Sequence, residues 1–215
     1  MHRHRMTTAL AAVLCAVTTV AAQRQASPRE MSDAEHDVPL LAGVLELEPG
    51  MTVADVGAGM GAMSIVFAKR LGPSGRVLST DLGANQLKAL RDAVDREQLT
   101  NMTVIEGAPS STNLPDACCD AIFMRDVYHH ITDAGAFNRS LLAALKPGGR
   151  LAIIDFEPRK GSKVPEGVNP NRGGHGITAA IVEQEVSAAG LKVDRTIASW
   201  PPGSSQFFLV LLRKN

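Results

Sequence analysis

Val53-Ala54-Asp55-Val56-Gly57-Ala58-Gly59-Met60-Gly61 is the stretch whose reading decides the fold. It reads as a short apolar strand that carries an acid and turns through alternating glycines into a helix. Glycine lets the backbone turn tightly and approach a ligand closely, because no Cβ stands in the way. The acid sorts the ligands. A carboxylate two residues before Gly57 repels a pyrophosphate and attracts a cation.

The spacing also satisfies G-x-G-x-x-A through Gly57, Gly59 and Ala62, the dinucleotide pattern, so it does not decide alone. The next strand, Arg76-Val77-Leu78-Ser79-Thr80, ends in Asp81, followed by Leu82. An acid there can accept hydrogen bonds from both ribose hydroxyls, which supports a nucleoside ligand. S-adenosylmethionine (SAM) is a nucleoside whose other end carries an ammonium and a sulfonium, and Asp55 suits it.

With Val53–Gly61 and Asp81, two further segments carry a resemblance. They are Asp120-Ala121-Ile122-Phe123-Met124-Arg125-Asp126-Val127-Tyr128-His129-His130-Ile131 and Leu145-Lys146-Pro147-Gly148-Gly149-Arg150-Leu151-Ala152-Ile153-Ile154-Asp155. In this order they resemble the class I SAM-dependent methyltransferases, in particular the small ubiquinone-biosynthesis-like group called methyltransferase type 11. The resemblance covers most of the chain after about residue 38. It implies a doubly wound, Rossmann-like, seven-stranded and mostly parallel α/β sheet with an antiparallel last strand and helices on both faces. It also implies SAM as cofactor, held by Asp55, Gly57, Gly59, Gly61, Asp81, Leu82, Ala108 and Asp126. Ala108 stands where relatives carry an acid for the adenine amino group, which leaves adenine to backbone groups or to Ser110 or Ser111.

The chain has 215 residues, enough for one domain with a sizeable core. Its 22 basic and 22 acidic side chains balance, and Trp and Tyr occur once each. There is no broad basic excess and there are few stacking platforms for bases, so nucleic acid is not an expected partner. His2-Arg3-His4-Arg5, the uncharged run Thr7–Ala22 and the small residues Val20-Ala21-Ala22 have the layout of a secretory signal peptide. The run is short for a membrane span. Residues 1–22 are therefore expected to be a leader, or an anchor if uncleaved, with the mature chain exported and free of a span. Residues 23–37 read as a polar linker and 38–215 as the domain. Cys118 and Cys119 are adjacent and read as two small apolar residues entering a strand, pointing to opposite faces and unable to build a disulfide framework.

Strands are expected at 51–56, 75–80, 102–106, 119–125, 149–155, 191–199 and 206–212, and helices at 61–71, 84–98, 133–146 and 176–189, with a short helix over Val38–Leu47, Pro39 near its start, leading into the first strand. Leu87, Leu90 and Val94 share one helical face, as do Phe137, Leu141 and Leu145. Alternating strands and helices imply a parallel sheet covered on both faces. The final two strands, joined across Pro201–Ser205, should pair antiparallel. Ligands of such sheets bind beyond the strands' carboxyl ends, where Asp55, Asp81, Asp126 and Asp155 all fall.

Methyl transfer is an in-line displacement that positioning alone can accelerate. If a base acts, Tyr128, His129 and His130 are the candidates, with His129 favoured. Residues 157–176 are long for a loop and rich in Gly, Pro and charge, which suggests an acceptor-binding flap or a solvated insertion. Asp126, Asp155, His129, His130 and His175 show no compact metal-ligand spacing, so no metal is expected. The leading reading is thus a SAM-dependent enzyme acting on a small molecule. A non-catalytic nucleoside-binding relative competes with it. An NAD(P)-dependent oxidoreductase is opposed by Asp55 and by the absence of a Tyr-x-x-x-Lys pair.

Overall fold

A computed structural model describes residues 25–215. The expected leader, with Cys15 inside it, lies outside the described residues. Helix α1 (Pro28–Val44) comes first. Strands β1 (Thr52–Val56), β2 (Arg76–Asp81), β3 (Met102–Glu106), β4 (Cys119–Arg125) and β5 (Leu145–Asp155) follow, with α2 (Ala62–Leu71), α3 (Ala84–Glu97) and α4 (Ala134–Ala144) between them. Helix α5 (Ala179–Ala188), β6 (Lys192–Trp200) and β7 (Phe207–Arg213) complete the chain.

The seven strands form one sheet in the order β3-β2-β1-β4-β5-β7-β6. Pairing is parallel from β3 to β5, and β7 runs antiparallel to both β5 and β6. The expected doubly wound sheet with a reversed last strand is therefore what forms. Two apolar layers cover it. Val38, Leu41, Phe67 and Leu90 pack one face from α1, α2 and α3. Phe137, Leu141, Val182 and Val186 pack the other from α4 and α5. All five residues of β1 are buried, as a strand covered on both faces must be.

Three expectations are corrected. Residues 23–37 are not a linker throughout, because α1 begins at Pro28. Ser27 accepts from the Glu30 N–H while Glu30 accepts from the Ser27 N–H, so both ends of the first turn are satisfied. Ala34, Asp37, Val38 and Leu41 of α1 are buried. Helix α4 stops at Ala144, and Leu145 opens β5 instead of closing a helical face. Cys118 and Cys119 are joined by a disulfide between neighbours. The alternation argument fails there because Cys118 lies before β4, outside the pleat.

The stretch 157–176 is not a free flap. Arg172 is buried within it and donates to both Glu185 carboxylate oxygens at 2.9 and 2.7 Å and to the Tyr128 carbonyl at 3.3 Å. Its guanidinium also sits over the Tyr128 ring. Arg172→Ala should cost about 2–3 kcal/mol, below the full penalty for breaking a buried pair because Glu185 keeps 24% side-chain exposure. The urea midpoint should fall with the slope unchanged; an unmoved midpoint would show that the clamp contributes nothing.

Candidate functional site

The strand order reverses between β1 and β4, and the chain leaves their carboxyl ends in opposite directions. A cleft of about 530 Å³ opens at this switch point. The glycine turn after β1 forms one wall. Gly57 has φ +79 and packs so closely on Val127 that a Cβ would stand 2.5 Å from a valine methyl. Gly59 has φ +56, and a Cβ there would meet nothing among the described residues within 4 Å. The first glycine is thus needed for packing and the second keeps the cleft open. Gly61 does not line the cleft; it faces Leu90 of α3. Its expected contact with cofactor is corrected to a helix-packing role.

Asp81 fixes the turn. Its carboxylate accepts from the Gly59 N–H at 2.9 Å and from the Leu82 and Gly83 N–H groups at 2.8 and 3.0 Å. Leu82, 55% exposed, lies beside it as an apolar surface in the cleft. Ala108 also lines the cleft, within a tight turn in which Ala108 and Ser111 exchange two backbone hydrogen bonds. That leaves Ser111, and not Ser110, among the cleft residues.

Asp55 is buried and accepts from the Ser64 hydroxyl at 2.6 Å; Ser64 in turn accepts from Ser79. Burial pushes the Asp55 carboxyl up to about 7, and the nearby Asp81 charge adds to the rise against the Ser64 hydrogen bond and Arg125. Asp126 lines the cleft with φ +61, a conformation short polar side chains tolerate. Partial burial also raises its pKa.

Of the three base candidates, only His130 reaches the cleft. Partial desolvation, with His129 and His175 alongside, lowers its pKa and favours the neutral ring. Tyr128 is fully buried; its hydroxyl donates to Glu185 and accepts from Asn138. Burial and Glu185 raise its pKa far above the ordinary phenol value. The favoured His129 is buried too, and its Nδ1 meets Asp155 at 2.9 Å. Both expectations of a base in the cleft are therefore corrected: the tight turn at 128–130 turns only its third residue outward.

Sequence reasoning placed a helix only from Val38 and missed the first ten residues of α1 (Pro28–Asp37). Its Glu30 and Asp33 line the cleft. Its buried Asp37 pairs at 3.3 Å with Arg125, which also lies over the Phe207 ring. The Ser27-Pro28-Arg29-Glu30 run was the available signal: a capping-box pattern with proline at the first helical position. Among the described residues, Glu30, Asp33, Asp55, Asp81 and Asp126 surround the cleft against Arg125 as its one arginine. An acidic cleft with an open glycine turn fits a cationic nucleoside and disfavours a diphosphate.

Residues 54–153 match the family model described as a methyltransferase domain. That match covers just under half of the chain, and the fold and cleft are similar to those of class I SAM-dependent methyltransferases. The chain is 32% identical over 108 residues to the ubiquinone/menaquinone biosynthesis C-methyltransferase of Pseudomonas putida, covering 50% of this chain and 42% of that one. It is 32% identical over 112 residues to the demethylmenaquinone methyltransferase of Listeria welshimeri, covering 52% and 48%. The chain thus spans about half the length of the curated relatives it matches. A crystal structure of a SAM-dependent methyltransferase from Aquifex aeolicus superposes with TM-score 0.68 at 25% identity, covering 89% of this chain and all of that one.

Proposed function

We propose that the protein transfers a methyl group from SAM to a small-molecule acceptor. One observation carries this reading: buried Asp55 and turn-fixing Asp81 flank an open glycine loop at the sheet's switch point. Asp81 and Leu82 would receive the nucleoside half, while Asp55 would receive the cationic half. When bound, SAM supplies an electrophilic methyl on its sulfonium. The chain's part is to hold donor and acceptor in line and keep the cleft largely dry, and positioning of that kind is worth up to roughly 7–11 kcal/mol.

The names of the two curated relatives favour a quinol ring as acceptor. Ile131 and Phe137, with Thr132 and His130, also line the cleft and would suit a hydroxylated ring. Radiolabel transfer from SAM to a demethylated quinol tests this. Titration calorimetry with SAM and with NAD tests the cofactor: binding of NAD alone would overturn the reading, and SAM binding without transfer to any acceptor would favour a non-catalytic relative.

Asp81→Ala should weaken SAM binding by about 1–3 kcal/mol, the usual cost of an unpaired polar group, and toward the upper end because the Gly59, Leu82 and Gly83 amides lose their acceptor as well. Calorimetry reads this directly, and an unchanged dissociation constant would place the nucleoside elsewhere. Export belongs to the proposal too, resting on the leader-like pattern of residues 1–22; sequencing the mature N-terminus from fractionated cells checks it. Among the described residues no helix is long and apolar enough to cross a membrane.

A further inference from the structure

Three imidazoles that cofactor binding leaves unexplained meet beside the cleft. His129 and His130 come from the turn after β4, and His175 from the segment before α5. Ring centroids lie 4.1 Å apart for His129–His130, 4.9 Å for His129–His175 and 5.8 Å for His130–His175. One ring nitrogen of each lies within 4.8 Å of the others.

The decisive atom is His129 Nε2. The ring is 1% exposed, and Nε2 is buried with no hydrogen-bond partner among the described residues. Leaving such a group unmade costs about 1–3 kcal/mol, and nothing in the packing accounts for it. The opposite nitrogen explains its form. Asp155 Oδ1 lies 2.9 Å from Nδ1, and in a neutral ring that donates Nδ1–H to it the lone pair is on Nε2. Asp155 is itself fixed, accepting from the His129 and Phe156 N–H groups. A carboxylate behind an imidazole, orienting the ring and strengthening its far nitrogen as a donor, is the outer-shell arrangement of metal-bound histidines.

His175 is placed with equal care. Its N–H donates to Ser162 Oγ at 2.8 Å, and its carbonyl accepts from Arg159. The following Gly176, at φ +118, lies against the end of β5, where a Cβ would stand 2.8 Å from the Phe156 carbonyl oxygen. Only a glycine lets the segment approach close enough to bring His175 onto the His129 ring.

We propose that His129 Nε2, His130 and His175 bind one divalent transition-metal ion, zinc in type, with a coordination position open beside the cleft. All-imidazole donors suit zinc and its neighbours over magnesium or calcium, which take oxygen. Three protein ligands leave the fourth position free, as in catalytic and not structural zinc sites. Zinc–nitrogen bonds of about 2.0–2.1 Å require the ligands to draw closer together. Solvent-facing His130 and partly exposed His175 have room to move, while His129 is the anchor. Because His130 lines the cleft, the open position suits an oxygen or sulfur atom of the acceptor; that role rests on the methyl-transfer reading, whereas metal binding itself does not.

The test uses untagged full-length protein stripped of metal. Titration with Co²⁺ should give visible d–d absorption saturating at one equivalent, and Zn²⁺ should abolish it. His175→Ala, at a partly exposed position compatible with folding, should lose metal affinity by more than the roughly ten- to hundredfold expected of the outer-shell change Asp155→Asn. Zn²⁺ should raise the wild-type melting temperature and leave that of His175→Ala unmoved. Absence of a cobalt spectrum, or equal affinity in wild type and His175→Ala, overturns the site. SAM titration of the same samples reports separately on the methyltransferase reading.

Discussion

Gly59→Val should eliminate measurable SAM binding, a loss of at least about a hundredfold, while the far-ultraviolet circular dichroism stays that of the wild type. A side chain at this position points into open space, and that space is the cleft. A branched side chain fills it. The backbone adds a cost, because φ +56 is a left-handed conformation that a β-branched residue resists by roughly 1–2 kcal/mol. That strain is small against the stability of a sheet buried on both faces. Gly59→Ala separates the two effects: it carries most of the backbone cost and little of the bulk, so it should weaken binding less. Normal titration by Gly59→Val would mean that the turn does not border the ligand.

The second large effect is on pH. SAM affinity should rise about tenfold per unit from pH 5 to pH 7 and then level off. The Asp55 carboxyl, raised by burial to about 7, is mostly neutral in the free protein below that pH. A cation in the cleft needs the anion, so binding expels a proton, and the ionised fraction grows tenfold per unit. Folding carries the opposite sign. A carboxyl whose pKa is higher folded than its ordinary 3.8 lends stability that is complete below that ordinary value and is lost as pH rises through 7. The free protein should therefore lose stability over the range in which it gains affinity. Asp55→Asn should flatten both slopes and bind SAM weakly at every pH. His130 and Asp126 also titrate with shifted values, and the Asn variant isolates the Asp55 contribution from theirs. A wild-type affinity independent of pH from 5 to 7 would show that Asp55 does not face the cation.

Much of the architecture was legible because its signals are local. Strand ends at Val56 and Asp81 follow from short apolar runs stopped by glycine or acid, and α3 follows from the spacing of Leu87 and Leu90. Errors arose where a local pattern competes with a distant contact. Residues 28–37 are hydrophilic enough to pass for a linker, yet Ala34 and Asp37 are buried because α2 and Arg125 lie against them. The choice among Tyr128, His129 and His130 turned on Asp155 and Glu185, which lie 26 and 57 residues further along the chain.

What the amino-acid order determined by itself is the sheet and its glycine turn, since hydrophobic period, turn residues and strand-end acids act over a few neighbouring positions. Only the tertiary structure decided which way each polar side chain faces, how α1 supplies Glu30 and Asp33 to the cleft, and that His175 meets His129. Such facts depend on contacts between distant segments, and no pattern along the chain encodes the direction in which a buried nitrogen points.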